Sequence, residues 1–101
     1  MSIQTIELTD AATAVRLPNE YAVIIHNDEI TGMDFVVEVL CEVFHKSPVE
    51  ASTLMMAVHN EGQGVAGVFT YDIAMTKKHQ TEQRASEKRF PLRLTLQEVT
   101  A

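Results

Sequence analysis

The stretch from residue 33 to residue 62 most restricts the fold, because it contains two helical patterns in direct succession. Apolar residues recur at spacings of three and four between residues 33 and 44, with acidic residues on the other side, which predicts an amphipathic helix. Thr31 and Asp34 resemble a capping box, in which each side chain satisfies an unpaired amide at the helix start. We therefore expect this helix to begin at the end of the preceding loop.

A second helix start follows almost at once. Ser47 is a favourable N-cap, Pro48 occupies the first turn without losing a hydrogen bond, and Glu50 stands at the capping-box position. Gly62 is the residue type that commonly ends a helix in the left-handed conformation. The helix between them is expected to bury a stripe made of Ala51, Leu54, Met55 and Val58.

Three further segments read as strands. Residues 21 to 26 are short and β-branched, and residues 65 to 70 are apolar enough for a buried strand, where Gly67 indicates a bulge or close packing. Residues 92 to 96 alternate between apolar and polar, as in a strand with one buried face. Residues 72 to 88 predict a mostly exposed helix with a thin apolar stripe of Ile73, Ala74 and Ala85.

The resulting order, β-α-α-β-α-β, predicts an α/β (α+β) domain of two layers, with a three-stranded sheet covered on one face by three helices. The pattern leaves strand order and direction open. With 101 residues, the chain has the size of one domain. We expect residues 1 to 19 to form a flexible tail, although Ile3, Ile6 and Leu8 also fit a short docked strand, and residues 20 to 101 to form the globular domain.

Charge and cysteine content exclude several classes of function. The net charge of −6 disfavours nucleic acid and anionic membranes as partners. A single cysteine, Cys41, allows neither an internal disulfide nor a four-thiolate zinc site. Neither a targeting signal nor a run of about 18 apolar residues is evident. These features predict a cytoplasmic protein without a membrane or nucleic-acid partner.

The densest polar cluster is the segment His-Asn-Asp-Glu at residues 26 to 29, and His59 lies near the end of the second predicted helix. One interpretation is purely structural, because Asn and Asp make turns and His59 can cover a helix end. A metal site of imidazole and carboxylate ligands is weakly supported, since no His pair at metal-binding spacing is present. No cofactor is predicted.

The sequence contains none of the common catalytic motifs that would indicate an enzyme. It contains no G-x-S-x-G motif and no phosphate-binding glycine loop, and Cys41 falls beside an apolar helix stripe. A binding site fits better. If Met33, Val36, Met55 and Val58 line facing helix surfaces, an apolar pocket opens beside the polar cluster. Such a pocket suits a cation attached to a hydrophobic group, as at the amino end of a peptide that starts with Leu or Phe.

At these residues the sequence resembles the ClpS family, bacterial adaptors that recognise N-degrons for a AAA+ unfoldase and its protease. The resemblance covers residues 21 to 98. It includes Asn-Asp-Glu-Ile-Thr-Gly-Met at 27 to 33, Leu-Met-Met-Ala-Val-His at 54 to 59, Gly-Val-Phe-Thr at 67 to 70 and Pro-Leu at 91 and 92. Several separate motifs thus occur in the family's order.

The resemblance implies a binding role and no catalysis. The α-amino group of an N-end rule substrate would be held by Asn27, Asp28 and His59. The family's pocket for a bulky hydrophobic first residue, Leu, Phe, Tyr or Trp, corresponds here to Ile25, Thr31, Met33, Val36, Met55, Val58 and Leu92. By the same resemblance, Met33 would be the gate that disfavours β-branched first residues.

Two positions depart from the family pattern. Glu29 replaces an Asp and retains its charge, whereas Gly32 replaces a Pro and lacks the fixed backbone angle. The departure at Gly32 predicts a looser pocket mouth and an altered preference among first residues.

The resemblance also implies a partner, the N-terminal domain of a Clp-type AAA+ unfoldase of the ClpA or ClpC class, and an interface that includes Asp72 and Lys77. An alternative is a regulator that docks on the unfoldase and changes its substrate choice without binding N-degrons. A third interpretation, a domain like the C-terminal domain of the ribosomal stalk protein, rests on fold class and does not account for Asp28 and His59 beside a pocket.

Overall fold

The computed structural model describes residues 19 to 99. The elements follow the predicted order, which is confirmed. Their bounds are β1 Glu20–His26, α1 Met33–Glu42, α2 Pro48–Glu61, β2 Gln63–Thr70, α3 Tyr71–Glu87 and β3 Arg93–Val99. The predicted tail, residues 1 to 19, lies outside the described residues except for Asn19.

The sheet has the order β2-β1-β3, and β1 pairs antiparallel with both neighbours. Val23 pairs with Gly67 and Ile24 with Val65, so Ala66 is an additional residue that forms a bulge. A Cβ atom at Gly67 would lie 2.6 Å from the Phe69 ring, which is closer than real side chains approach. The predicted bulge is therefore confirmed beside Gly67, which is covered by the Phe69 ring.

One hydrophobic core joins the covered face of the sheet to the helices. Val23 and Ile25 of β1 and Leu94 of β3 are almost completely buried, as are Val39 and Leu40 of α1. α1 packs on α2, and α3 packs against all three strands. Because β1 is the central strand, its two ends are fixed from both sides.

Both predicted signals at the ends of α2 are confirmed. The Glu50 amide donates to Ser47 Oγ over 3.2 Å, and the Ser47 amide donates to Glu50 Oε1 over 3.1 Å. Gly62 adopts a left-handed φ of 94°, and its amide donates to the Val58 carbonyl over 2.8 Å. The second helix thus ends at a defined point beside β1.

The capping box predicted for α1 is wrong. Gly32 is the N-cap, with φ −66° and ψ 140°, and no side chain caps the helix. Asp34 has no capping bond to Thr31, because the Thr31 hydroxyl donates instead to Asp28 Oδ2 over 2.6 Å. The Thr31 hydroxyl therefore stabilises the loop before the helix and does not cap the helix.

Two burial predictions are also wrong. β2 is an edge strand, and Val65 and Val68 remain 47% and 45% exposed because the helices cover only one face of the sheet. In α3, Ile73 is half exposed, whereas Thr81 is fully buried and donates its hydroxyl to the Lys77 carbonyl over 2.8 Å. A threonine that satisfies its own hydroxyl inside the helix can join a buried stripe, which an apolar pattern does not reveal.

Candidate functional site

The candidate site lies where β1 ends and the chain turns into α1. The Asn27 amide donates to the Gly62 carbonyl over 2.9 Å, which ties the loop to the end of α2. The left-handed turn at Gly62 directs this carbonyl toward the loop. The end of β1, the start of α1 and the end of α2 therefore meet at one place.

Asp28 organises the loop. Its Oδ1 accepts the amides of Ile30 and Thr31 over 2.8 and 2.6 Å, and its Oδ2 accepts the Thr31 hydroxyl. Partial burial raises the pKa of Asp28, but the hydrogen bonds from Thr31 and Ile30 outweigh it and hold the pKa below its ordinary value. Asp28 is thus a fixed negative charge whose position depends on Ile30 and Thr31.

A cavity of about 340 Å³ opens beside this loop. Its inner wall is apolar, since Ile25, Val36, Val58 and Leu92 are all at most 8% exposed. Met33 stands at the mouth and is 43% exposed. The volume is in the range of about 300 to 1,000 Å³ that is typical of sites for small ligands.

The rim of the cavity is polar on one side. Asn27, Asp28 and Glu29 come from the loop, and His59 comes from the last turn of α2. His59 follows Met55 by four residues, so the two side chains share one face of the helix and reach the same cavity. The rim therefore combines carboxylate, amide and imidazole groups next to an apolar interior.

The structure brings all ten residues predicted for ligand binding to this one cavity. They are Asn27, Asp28, His59, Ile25, Thr31, Met33, Val36, Met55, Val58 and Leu92. The lining also includes His26, Glu29, Ile30 and Gly32, which were not among the ten residues predicted to contact the ligand. In the sequence, these residues could be recognised only by their position between residues 26 and 33, because the other members of this segment line the cavity.

His26 fixes the end of β1 to β3. Its Nε2 lies 2.8 Å from Thr95 Oγ1. Burial, together with the positive charge of Arg93, lowers the pKa of His26. The imidazole is therefore neutral at neutral pH and serves as a hydrogen-bond partner within the sheet.

The structure gives no support for a metal centre. Residues 19 to 99 contain no group of three metal-ligating side chains close enough to hold an ion. Cys41 is half-buried in α1 and does not line the cavity. None of the helices between residues 19 and 99 is both long and apolar enough to cross a membrane.

The two residues predicted for a partner interface lie elsewhere. Asp72 and Lys77 line a groove of about 780 Å³ between the end of α1 and α3, which we call the α1/α3 groove. Its other lining residues are mostly polar, namely Glu42, Val43, His45, Ile73, Thr76, Gln80, Gln83, Arg84 and Glu87. The structure thus separates the two predicted sets of residues.

Lys77 connects α3 to the end of α1 in this groove. Its ammonium group donates to the Val43 carbonyl over 2.7 Å and lies 5.3 Å from the centre of the Phe69 ring. The Val43 carbonyl belongs to the negative end of α1, where a cation is favourable. Arg84 and Glu42 form an ion pair across the same groove. Asp72 stands in the first turn of α3 and is exposed.

Fold and site together define a small α+β binding domain whose cavity suits a ligand with an apolar body and a cationic end. Residues 16 to 95 match the family model for the ATP-dependent Clp protease adaptor protein ClpS. The ClpS adaptor of Syntrophus aciditrophicus is 50% identical over 81% of this chain and 77% of its own length. The ClpS adaptor of Acetivibrio thermocellus is 47% identical over 91% of this chain and 93% of its own length.

Among solved structures, Agrobacterium tumefaciens ClpS2 bound to L-phenylalaninamide matches with a TM-score of 0.79 and 35% identity. The match covers 82% of this chain and 100% of that one. The chain therefore belongs to the ClpS family of Clp protease adaptor proteins. The family prediction from the sequence is confirmed.

Proposed function

We propose that this adaptor binds the free α-amino group and the bulky hydrophobic first residue of N-degron proteins. It then delivers these proteins to a AAA+ unfoldase of the ClpA or ClpC class for degradation in the cytoplasm. The first residues it selects are Leu, Phe, Tyr and Trp. No cofactor takes part and no bond is broken by the adaptor itself.

The single observation that carries this proposal is the cavity, because its apolar wall and its charged rim are adjacent. A first side chain enters between Met33, Val36 and Val58, while the α-amino group stays at the rim. L-phenylalaninamide, the ligand of the Agrobacterium relative, carries both of these groups. Burying such a side chain contributes about 1.5 to 3 kcal/mol.

The rim is suited to a cation. A free α-amino group has a pKa of about 7.7 to 8.0 and is mostly charged at neutral pH. Asp28 remains able to accept one of its protons, since Oδ2 receives a single hydrogen bond, from Thr31. Asn27 and His59 supply further acceptors, and Glu29 adds a second carboxylate beside Asp28. Each charged hydrogen bond contributes about 1.5 to 3 kcal/mol.

The α1/α3 groove is the proposed docking surface for the unfoldase. Asp72 offers an exposed carboxylate there. Lys77 acts by holding the end of α1 against α3 through the Val43 carbonyl, which fixes the shape of the groove. The groove shares no lining residue with the cavity, so the adaptor can hold a substrate and its partner at the same time.

Fluorescence anisotropy with labelled peptides that differ only in residue one tests the proposal. Leu, Phe, Tyr and Trp peptides are expected to bind with roughly micromolar affinity, about 8 kcal/mol, and Val and Ala peptides more weakly. An N-acetylated Leu peptide is the control, because acetylation removes the charge. Equal binding of the acetylated and the free peptide would contradict the proposed role of the rim.

The separate groove also favours a second candidate, a regulator that docks on the unfoldase without binding N-degrons. The two functions differ in what Asp28→Asn and Asp72→Ala affect. For an adaptor, Asp28→Asn weakens peptide binding about 10-fold to 100-fold, and Asp72→Ala weakens binding of the unfoldase's N-terminal domain. Docking without any peptide binding by the wild-type chain would leave the regulator as the function.

A further inference from the structure

We infer that Ile30 extends the binding site beyond the first residue, as an apolar contact for the side chain at position two or three of the bound peptide. This inference rests on the proposed function, because it assumes that the α-amino group is held at the rim of the cavity. It adds a preference for aliphatic or aromatic side chains next to the first residue.

Ile30 is an exposed aliphatic residue at the mouth of the cavity. Its side chain is 68% exposed, although it belongs to the lining of the cavity. Met33, three residues later, is 43% exposed at the same mouth. Two exposed apolar side chains, Met33 and Ile30, thus extend the apolar lining of the cavity to its mouth. Single exposed apolar residues are ordinary, but an apolar surface continuous with a pocket marks an interaction site.

The backbone of Ile30 is fixed relative to the proposed amine site. Its amide donates to Asp28 Oδ1 over 2.8 Å, and the neighbouring Thr31 amide donates to the same oxygen over 2.6 Å. The carboxylate that receives the peptide's amino group thus also holds Ile30 in place. A contact that is already ordered before binding loses less entropy when the ligand arrives.

Chain geometry brings positions two and three of the peptide within reach. Consecutive Cα atoms of a peptide lie 3.8 Å apart, so the third Cα is at most about 7 Å from the first. With its amino group on Asp28 and its first side chain inside the cavity, a peptide must leave across the rim. On this rim Ile30 and Met33 are the large apolar side chains with substantial exposure.

The test compares three peptides that begin Leu-Gly-Gly, Leu-Leu-Gly and Leu-Gly-Leu and are otherwise identical. Their dissociation constants are measured by anisotropy with the full chain. One of the two peptides with an additional Leu is expected to bind about threefold to tenfold more tightly than Leu-Gly-Gly, which corresponds to burial of about one or two methylene groups.

Two matched variants test whether Ile30 causes this difference in affinity. Ile30→Thr retains the β-branched shape and the backbone hydrogen bond but removes apolar surface, so the affinity ratio should fall to near one. Val49→Thr makes the same change at a residue that is 77% exposed on α2 and outside the cavity, and the ratio should stay as in the wild type.

The outcomes separate this inference from the function on which it rests. If all three peptides bind with equal affinity, or if the ratio is retained in Ile30→Thr, the inference is wrong and the proposed function stands. If none of the three binds, both are wrong.

Discussion

The cavity and the α1/α3 groove lie at opposite ends of α1 and are built in different ways. The polar rim of the cavity is held by short-range contacts within a loop, with Asp28 at their centre, beside an apolar wall from β1, α1 and α2. The groove is formed by long polar side chains of separate helices, as in the Arg84 to Glu42 pair. The first arrangement suits one small end group, and the second suits the surface of another protein.

The largest expected effect is the loss of peptide affinity when the charge of Asp28 in the cavity is removed, a change that should leave the groove unaffected. Asp28→Asn retains an oxygen that can accept the amides of Ile30 and Thr31 but removes the negative charge. Peptide affinity should fall about 10-fold to 100-fold, as expected for one charged hydrogen bond. Anisotropy measures this loss, while binding of the unfoldase's N-terminal domain should not change.

Glu29→Gln is the matched variant, since it removes a neighbouring carboxylate that accepts no hydrogen bond in the loop. The expected loss is smaller than for Asp28→Asn. If Glu29→Gln had the larger effect, Glu29 would be the carboxylate that binds the amine, and Asp28 would only position the loop.

A second prediction concerns the groove. Lys77→Met retains the apolar stem but removes the ammonium group that binds the Val43 carbonyl. Because this carbonyl is left without its partner, the free energy of unfolding should fall by about 1 to 2 kcal/mol, measured by urea denaturation. Lys88→Met, at the exposed C-cap of α3, is the control. Equal stability of the two variants would show that the hydrogen bond contributes nothing.

Two glycines, Gly62 at the end of α2 and Gly32 in the lining of the cavity, should respond differently to the same substitution. Gly62→Ala forces a side chain into a left-handed backbone and should destabilise the fold by about 1 to 2 kcal/mol. Gly32→Ala fits the backbone, because φ is −66° and the new Cβ would lie 3.6 Å from Phe90, and it lowers the entropy of the unfolded chain. Gly32 is also the N-cap of α1, where Ala is less favourable than Gly, so the net change in stability should stay within about 0.5 kcal/mol. Thermal unfolding measures both changes. A destabilisation by Gly32→Ala as large as that by Gly62→Ala would mean that the cavity mouth uses glycine's freedom in another conformation.

The smallest expected effect is the pH dependence that His26 contributes. Its pKa is lowered in the folded state, so the unfolded state binds more protons below about pH 6.5, and stability falls as the pH decreases through this region. His26→Gln should reduce this slope in denaturation measured between pH 7.5 and 5.5. His79→Gln, at an exposed position of α3, is the control. An unchanged slope in His26→Gln would show that burial of His26 does not affect stability.

The two regions also differ in how far the sequence predicts them. The order of the elements was predictable from the apolar periodicity, and the lining of the cavity from the resemblance to the ClpS family, whose motifs here include residues 27 to 33 and 54 to 59. The bond from Lys77 to Val43 was not, because it joins residues 34 positions apart and depends on how α3 packs against α1. Thr31 was assigned to the wrong partner, since Asp34 and Asp28 are both three residues away from it.

The length of α1 has a mechanical consequence. Met33 at its start lines the cavity, and Glu42 at its end lines the groove. A helix of 10 residues is about 15 Å long and does not bend easily. In the proposed function, α1 is therefore a rigid spacer between the bound substrate and the docked unfoldase. On that proposal, a substrate held by its first residue must dissociate from the cavity before the unfoldase can pull on that end, so very tight binding would delay the proposed transfer.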